Sequence, residues 1–152
     1  MKKIATILLM CLTAITAMAQ NGWLYGNNIA VLKSMEEYPS GDLDKPVCLK
    51  IMLDNSDENN LLALLGLDGD FVLYNFRPNQ QYIVVDYGGM STKWEIETVT
   101  PDDKALQYFF VTDAAKFIDM LCKYDFLTIT LPLILYGNTT FYFNSNGYPL
   151  DW

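Results

Sequence analysis

The sequence contains no histidine, and this absence excludes several common catalytic and metal-binding arrangements. Without imidazole the chain has no Ser-His-Asp or Cys-His nucleophile system and no His-ligated zinc site. Positive charge is also scarce, because 10 Lys and Arg stand against 18 Asp and Glu, which gives a formal net charge of −8. Nucleic-acid binding depends on Lys and Arg side chains that neutralise phosphates, so no nucleic-acid partner is expected. The sequence also has no Gly-rich phosphate loop, no Cys-x-x-Cys pair and no Gly-x-Ser-x-Gly element.

The residues that are abundant indicate a small folded domain. The chain has 152 residues, of which 51% are hydrophobic and 14% are aromatic. This apolar fraction is too high for a disordered chain, and the length suits one domain with its own core. Composition and motifs assign no catalytic residue, no cofactor site and no metal ligand. We therefore predict that the protein is not an enzyme.

The N-terminal segment 1–19 has the three parts of a secretory signal peptide. Two lysines precede an apolar run, and Ala17 and Ala19 then give the small-x-small pattern that signal peptidase requires. The apolar run is too short to span about 30 Å of hydrocarbon. We predict cleavage after Ala19, a single β-sandwich domain at 20–152 without a membrane span, and an exported protein that is periplasmic or extracellular.

Two cysteines, Cys48 and Cys122, remain after the predicted cleavage. In an exported protein an even number of cysteines is compatible with a disulfide bond. Two separate buried thiols are equally compatible, because free cysteine is among the most buried residue types. The sequence leaves both alternatives open.

Short apolar or alternating segments between turn residues predict strands along most of the domain. Segment 93–99 alternates, with Trp94 and Ile96 on one face. Residues 26–45 are rich in turn-forming residues and are predicted to be irregular. The predicted strands are 23–25, 47–53, 61–67, 71–76, 82–87, 93–99, 105–111, 126–131 and 140–144.

One late segment has the spacing of an amphipathic helix, with Thr112 or Asp113 as a suitable N-terminal cap. Its predicted apolar stripe consists of Ala114, Phe117, Ile118, Leu121 and Cys122. Short strands joined by tight turns indicate antiparallel pairing. We therefore predict an all-β fold, an antiparallel β-sandwich or flattened barrel with one late α-helix at about residues 112–124.

The segment that follows the helix predicts a β-hairpin with one side facing the core. The predicted core-facing residues are Leu127, Ile129 and Leu131 on the first strand and Phe141 and Phe143 on the return strand. Pro132 has no N–H to donate to a neighbouring strand, so it predicts an edge or a bulge. A turn is predicted at 136–139.

Acidic residues give two weak candidates for a site. The loop 54–58 can offer oxygen ligands to Ca²⁺, but it lacks the glycine and the terminal glutamate of an EF-hand. Asp68 and Asp70 flank a glycine, and glycoside hydrolases use two close carboxylates. Other close acids, such as Glu95 and Glu97, are interpreted as surface charge. Turn formation and ordinary surface charge explain all of these acids more simply.

Tryptophans provide the remaining candidate, because exposed Trp rings can stack on sugars. The chain has three, at Trp23, Trp94 and Trp152. Trp94 is on an alternating strand whose apolar face is expected to point inward, and the other two are near the termini. Packing in the core or at the termini is therefore the favoured role.

The order of elements in 82–152 resembles a known class of exported proteins. A strand Ile-Val-Val-Asp-Tyr ends at Tyr87, Trp94 follows, and then come the helix AAKFIDMLCKYDF, the strand LTITLP, the hairpin YGNTTFYF and the closing Asn-Gly-Tyr-Pro-Leu. This order is similar to exported β-sandwich proteins of the invasion-associated locus B type and the type VI secretion accessory type. The resemblance implies a sandwich fold, an envelope location and a binding or accessory role, and it carries over no site residue.

These observations lead to one functional prediction and two alternatives. We predict an exported, non-enzymatic β-sandwich protein that acts as a binding or accessory module for a protein or envelope component, without a cofactor. The first alternative is a carbohydrate-binding module, which the aromatic content suggests. The second alternative is a carboxylate-dependent hydrolase, which the paired acids suggest.

Overall fold

A computed structural model describes residues 18–20, 22–35, 38–40, 43–57, 59–68, 81–98, 108–133 and 137–147. Within these ranges the chain forms eleven strands and a single helix late in the sequence. The strands are β1 (Met18–Gln20), β2 (Trp23–Gly26), β3 (Ile29–Lys33), β4 (Tyr38–Ser40), β5 (Leu43–Asp54), β6 (Leu62–Asp68), β7 (Tyr82–Tyr87), β8 (Met90–Thr98), β9 (Tyr108–Val111), β10 (Phe126–Leu133) and β11 (Gly137–Asn144). The helix is α1 (Ala114–Lys123).

All strand pairings in the described residues are antiparallel and follow the order β1-β2-β3-β5-β6-β9-β8-β7-β10-β11, with β4 on β5. Strand β8 joins two halves of this order, because its residues 90–95 pair with β7 and its residues 96–98 pair with β9. We call β1, β2, β3, β5, β6 and β9 the first sheet, and β7, β10 and β11 the second sheet. Between β1 and β11 the described strands do not close into a barrel.

The inner faces of the two sheets share one hydrophobic core. Trp23, Ile51 and Leu65 of the first sheet are no more than 1% exposed, and they belong to the same buried cluster as Ile129 and Phe141 of the second sheet. Helix α1 adds Phe117 and Leu121 to that cluster. The prediction of an all-β antiparallel fold with one late helix is confirmed. Of the two predicted forms, a sandwich or a flattened barrel, the barrel is wrong, because the described strands do not close.

The prediction that residues 26–45 are irregular is wrong, because β3 and β4 lie in this segment. Asn27 and Asn28 have positive φ values of 54° and 63°, which is the backbone of a two-residue hairpin turn. Asparagine tolerates this left-handed conformation, and the turn reverses the chain so that β3 pairs with β2. The four residues Ile29 to Leu32 are all buried, so β3 lacks the alternation by which other strands were recognised.

Helix α1 begins where Asp113 caps it, since the Asp113 carboxylate accepts a hydrogen bond from the Lys116 backbone N–H at 3.2 Å. The predicted helix and cap are therefore confirmed. The predicted stripe is partly wrong, because Met120 is buried while Cys122 is exposed and Ile118 is only half-buried. The buried face is thus rotated toward Ala114, Phe117 and Met120, where the Phe117 ring meets the edge of Trp94 at 5.3 Å between centroids.

The C-terminal hairpin faces the core as predicted. Leu127 pairs with Phe143 and Ile129 pairs with Phe141, and all four side chains are at most 2% exposed. Pro132 pairs with β11 only, because the pairing of β10 with β7 ends at Thr130, so one edge of β10 is unpaired at this proline within the described residues. The predicted turn is wrong at residues 137–139, which already belong to β11.

Several predictions fall on residues that the structure does not describe. These are the signal segment up to residue 17, the strand 71–76, the predicted strand residues 99 and 105–107, Tyr136, and the C-terminal residues 148–152. The predicted cleavage site after Ala19 lies within β1, where Ala19 pairs with Leu24.

Candidate functional site

Exposed large apolar side chains are concentrated at one end of the second sheet. In the described residues the five such side chains are Leu24, Met35, Met90, Phe126 and Tyr142, which are 41%, 56%, 47%, 60% and 41% exposed. All of these except Leu24 line one groove of about 430 Å³. That volume lies within the range of ligand pockets, and clustered exposed apolar side chains mark interaction sites. We call this feature the apolar groove.

The apolar groove is built where the β7–β8 hairpin meets the start of β10 and the end of β11. Its lining residues are Met35, Asp86, Tyr87, Gly88, Gly89, Met90, Ser91, Phe126, Leu127, Thr128, Tyr142 and Phe143. The Gly88-Gly89 turn has φ values of 54° and 78°, which glycine adopts at little cost. A Cβ on Gly88 would lie 2.5 Å from the Tyr124 ring, so the hairpin packs closely against the residue that ends α1.

Backbone and side-chain hydrogen bonds hold the rim of the groove in place. Met35 N–H donates to the Tyr142 carbonyl at 2.8 Å, which attaches the chain leaving β3 to β11. Next to it, the buried Ser34 hydroxyl accepts a hydrogen bond from Leu49 N–H at 3.1 Å. On the other side, Ser145 N–H donates to the Asp125 carbonyl at 2.8 Å, so the residue before Phe126 is fixed to the end of β11. The exposed side chains therefore project from a rigid frame.

One acidic side chain lies among these apolar residues. Strand registers place Ser91, Asp86, Thr128 and Tyr142 in one row across β8, β7, β10 and β11. The Thr128 hydroxyl donates to an Asp86 carboxylate oxygen at 3.4 Å, which is near the limit of a hydrogen bond. Among the described lining residues none is basic, and Asp86 is the one acid. This part of the groove is thus apolar with a negative charge in its floor.

The acidic loop 54–58 uses its carboxylates on its own backbone. Asp54 accepts a hydrogen bond from Ser56 N–H at 2.8 Å, and Asp57 accepts one from Asn59 N–H at 3.2 Å. These are the short-range bonds of turn-forming aspartates. Glu58 lies outside the described residues. Across the part of the chain that the structure describes, no group of three His, Cys, Asp or Glu side chains could hold a metal ion.

Glu95 and Glu97 do not form the arrangement that a glycosidase needs. Glu95 and Glu97 line a recess of about 350 Å³ together with residues such as Tyr82 and Thr112. Both carboxylates are exposed and stand side by side on one strand, β8. The two carboxyl groups of a glycosidase lie on opposite sides of the scissile bond, whereas Glu95 and Glu97 approach the recess from the same strand. Asp68 ends β6, and Asp70 is not described.

Two of the three tryptophans belong to the core. Trp23 is 0% exposed, and its indole N–H donates to the Ser145 carbonyl at 3.1 Å, which links β2 to the end of β11. Trp94 is 6% exposed and donates to the Thr92 hydroxyl at 2.9 Å. Neither ring presents a face to solvent on which a sugar could stack. Trp152 lies outside the described residues.

The two cysteines do not form a disulfide bond with each other. Cys48 is buried on β5, whereas Cys122 is exposed on α1. Partial burial, and to a smaller degree the Asp119 charge, raise the pKa of the Cys122 thiol above its ordinary value, against a smaller lowering by Lys123. A raised pKa keeps this thiol protonated near neutral pH, and the thiolate is the reactive form. Cys122 is therefore a poor nucleophile.

Two positions of the groove are marked in the sequence by residues that break the alternation of their strands. Phe126 is out of phase with Leu127 and Ile129, so an alternating strand places its ring on the solvent side. Asp86 interrupts the apolar strand β7 in the same way. Met35 could not be found by this criterion, since a contact with β11 from a distant part of the sequence sets its position.

Comparisons with known proteins provide no relative for this chain: no family model matches it, and searches of the curated proteins and of the solved structures find no significant match. The resemblance to exported sandwich proteins stays a prediction. In the described residues, no helix is long and apolar enough to cross a membrane. Any functional assignment therefore depends on the residues of the site itself.

Proposed function

We propose that this protein is an exported, non-enzymatic binding or accessory module that holds a protein or envelope component in its apolar groove. The observation that carries the proposal is the clustering of Met35, Met90, Phe126 and Tyr142 in one groove. An exposed apolar patch on a rigid frame binds partners because its burial removes apolar surface from water. The predicted signal peptide supports the exported location.

The composition of the groove favours binding over catalysis. Among its described lining residues, the titratable side chains are the carboxyl of Asp86 and the phenols of Tyr87 and Tyr142. A nucleophile paired with a base, which covalent catalysis requires, is not present among the lining residues. Met35 and Met90 are unbranched and polarizable, and such side chains adapt to ligands of different shape.

The groove also suits a hydrophobic ligand better than a sugar. Carbohydrate sites combine a flat aromatic ring with several polar groups that bind hydroxyls, whereas here Ser91, Thr128 and Asp86 are the few polar side chains. We therefore place the carbohydrate-binding alternative second. The exposed rings of Phe126 and Tyr142 are the residues through which it would act.

A peptide-display selection tests the proposal with a defined probe. Random decapeptides are selected on protein purified from cells that express the full chain. Peptides that use the groove should bind the Met90→Ser/Phe126→Ser double variant at least tenfold more weakly than the unmodified protein. Leu24→Ser is the matched control, because Leu24 is similarly exposed but lies outside the groove, and it should leave binding unchanged. Failure to enrich any peptide, or equal binding to the double variant, would contradict the proposal.

A further inference from the structure

We infer that the occupant of the apolar groove is an extended peptide segment of a partner protein that carries apolar side chains and one basic side chain placed against Asp86. This inference rests on the proposed function and specifies its ligand. It is drawn from the charge, the dimensions and the chemistry of the groove.

The described part of the groove is negative, and no described lysine or arginine lines it to balance that charge. Asp86 is half-buried, and its one hydrogen bond, from Thr128, is long at 3.4 Å. Lys93 lies on the same face of the sheet, but its ammonium group is 4.4 Å from the centroid of the Tyr82 ring, four residues along β7 from Asp86. A basic side chain of a ligand would supply the missing cation and form a charge-assisted hydrogen bond.

The charge of the chain favours the same kind of ligand. The acid Asp125 directly precedes Phe126, and Glu36 and Glu37 directly follow Met35 in the sequence. With a net charge of −8, the protein attracts cations and repels anions. A fatty acid or an acidic peptide would place a second negative charge in the groove, and a second copy of this chain would bring a further net charge of −8 close to the first. Charge complementarity therefore selects a basic partner.

The dimensions of the groove fit a short extended segment. The row from Ser91 to Tyr142 crosses four strands. Three strand spacings of about 4.8 Å give about 14 Å, which is the length of about four extended residues. In such a segment alternate side chains point the same way, so two of the four face the floor. One of them can bind Asp86 while the other lies on the apolar side chains of the rim.

The rim residues also suit a basic side chain. The methylene groups of Lys or Arg can cover Met90 or Phe126 while the charged end reaches Asp86. An arginine can also stack on the exposed ring of Phe126 or Tyr142. The same groove can therefore bind the apolar and the charged parts of one side chain.

Peptides that differ only in charge test this inference. Each peptide enriched on the protein is synthesised with a neutral dye, and again with citrulline in place of Arg or norleucine in place of Lys. The unmodified protein should bind the basic form at least tenfold more tightly than the neutral form. Asp86→Asn should bind the two forms equally, and Asp125→Asn, which removes an exposed acid that does not line the groove, should keep the preference. If Asp86→Asn does not fold, added salt replaces it and should weaken the basic form alone.

The possible outcomes separate this inference from the proposed function. Groove-dependent peptides without a basic residue, or a charge preference that survives Asp86→Asn or added salt, would overturn the inference and leave the proposed function standing. A failure to enrich any groove-dependent peptide would overturn both. Sedimentation that shows a concentration-dependent dimer abolished by Met90→Ser/Phe126→Ser would assign the groove to a second copy of the chain and overturn the inference.

Discussion

The outer faces of the two sheets differ in composition although their inner faces share one core. On the first sheet the outer side chains of Ile29, Val31, Met52 and Leu64 form a second apolar cluster and are 3% to 8% exposed. On the second sheet the outer positions of β10 and β11 include half-buried threonines, with the Thr130 and Thr140 hydroxyls 2.9 Å apart. Among the described residues of this sheet, the exposed large apolar side chains lie at the end that forms the apolar groove.

This difference shows where the sequence pattern carries information about orientation. In β10, apolar and polar residues alternate, so the sequence tells which side chains face the core. In β3 both faces are apolar and buried, so no alternation marks the strand. The outer face of the second sheet carries polar side chains next to Phe126. An exposed aromatic ring is unusual at such a position and therefore indicates a functional role.

The inner face of the second sheet should give the largest effect on stability. Phe141→Ala removes a fully buried ring and should lower the free energy of unfolding by about 3–5 kcal/mol. Thr128→Ala, on the outer face of the neighbouring strand, removes only a long hydrogen bond to Asp86 and should cost less than about 1.5 kcal/mol. Urea denaturation curves measure both values. A Thr128→Ala loss as large as that of Phe141→Ala would mean that the assigned facing of the hairpin is inverted.

The outer face of the first sheet should behave as core. Leu64→Ala removes a side chain that is 3% exposed, and we expect a loss of about 2–5 kcal/mol. Leu24→Ala is the control, since Leu24 is 41% exposed and the same substitution should give a clearly smaller loss. Thermal or chemical denaturation compares the two variants. Equal losses would contradict the burial of Leu64 on the outer face of the first sheet.

The turn beside the apolar groove should give a smaller effect. Both Gly88 and Gly89 have positive φ values, so alanine at either position should cost about 1–2 kcal/mol of backbone strain. Gly88→Ala should cost more than Gly89→Ala, because its Cβ would meet the Tyr124 ring at 2.5 Å while nothing lies within 4 Å of a Cβ on Gly89. Melting temperatures of the two variants test the order, and the reverse order would contradict the packing of this hairpin.

The correct and incorrect predictions from the sequence have physical causes. Between Tyr82 and Leu131 the strands, turns and helix follow local sequence patterns, and the predicted elements match those of the structure. The exceptions are the residues that the structure does not describe and the apolar stripe of α1, which is rotated. Helical spacing alone could not choose between Met120 and Cys122, because that choice depends on which neighbours pack against α1. The turn residues at Asn27-Asn28 do not distinguish a tight hairpin from an irregular segment, because both are rich in Gly, Asn and Pro.

The candidate site was less predictable than the fold. Phe126 and Asp86 are recognisable from their positions in alternating strands, but the groove also needs Met35, which the hydrogen bond to Tyr142 brings from another part of the chain. A contact between residues so far apart in sequence leaves no local pattern. The fold therefore had to be known before the groove could be recognised.

The most direct test of the account is an NMR titration of the isotope-labelled protein with an enriched basic peptide. We predict that the amide signals of Gly88, Gly89, Met90, Phe126 and Tyr142 shift in a saturable way. The signals of Val31, Met52 and Leu64, on the outer face of the first sheet, should stay in place. Shifts confined to the first sheet, or no saturable shift at the groove, would contradict the claim that the apolar groove is the binding site.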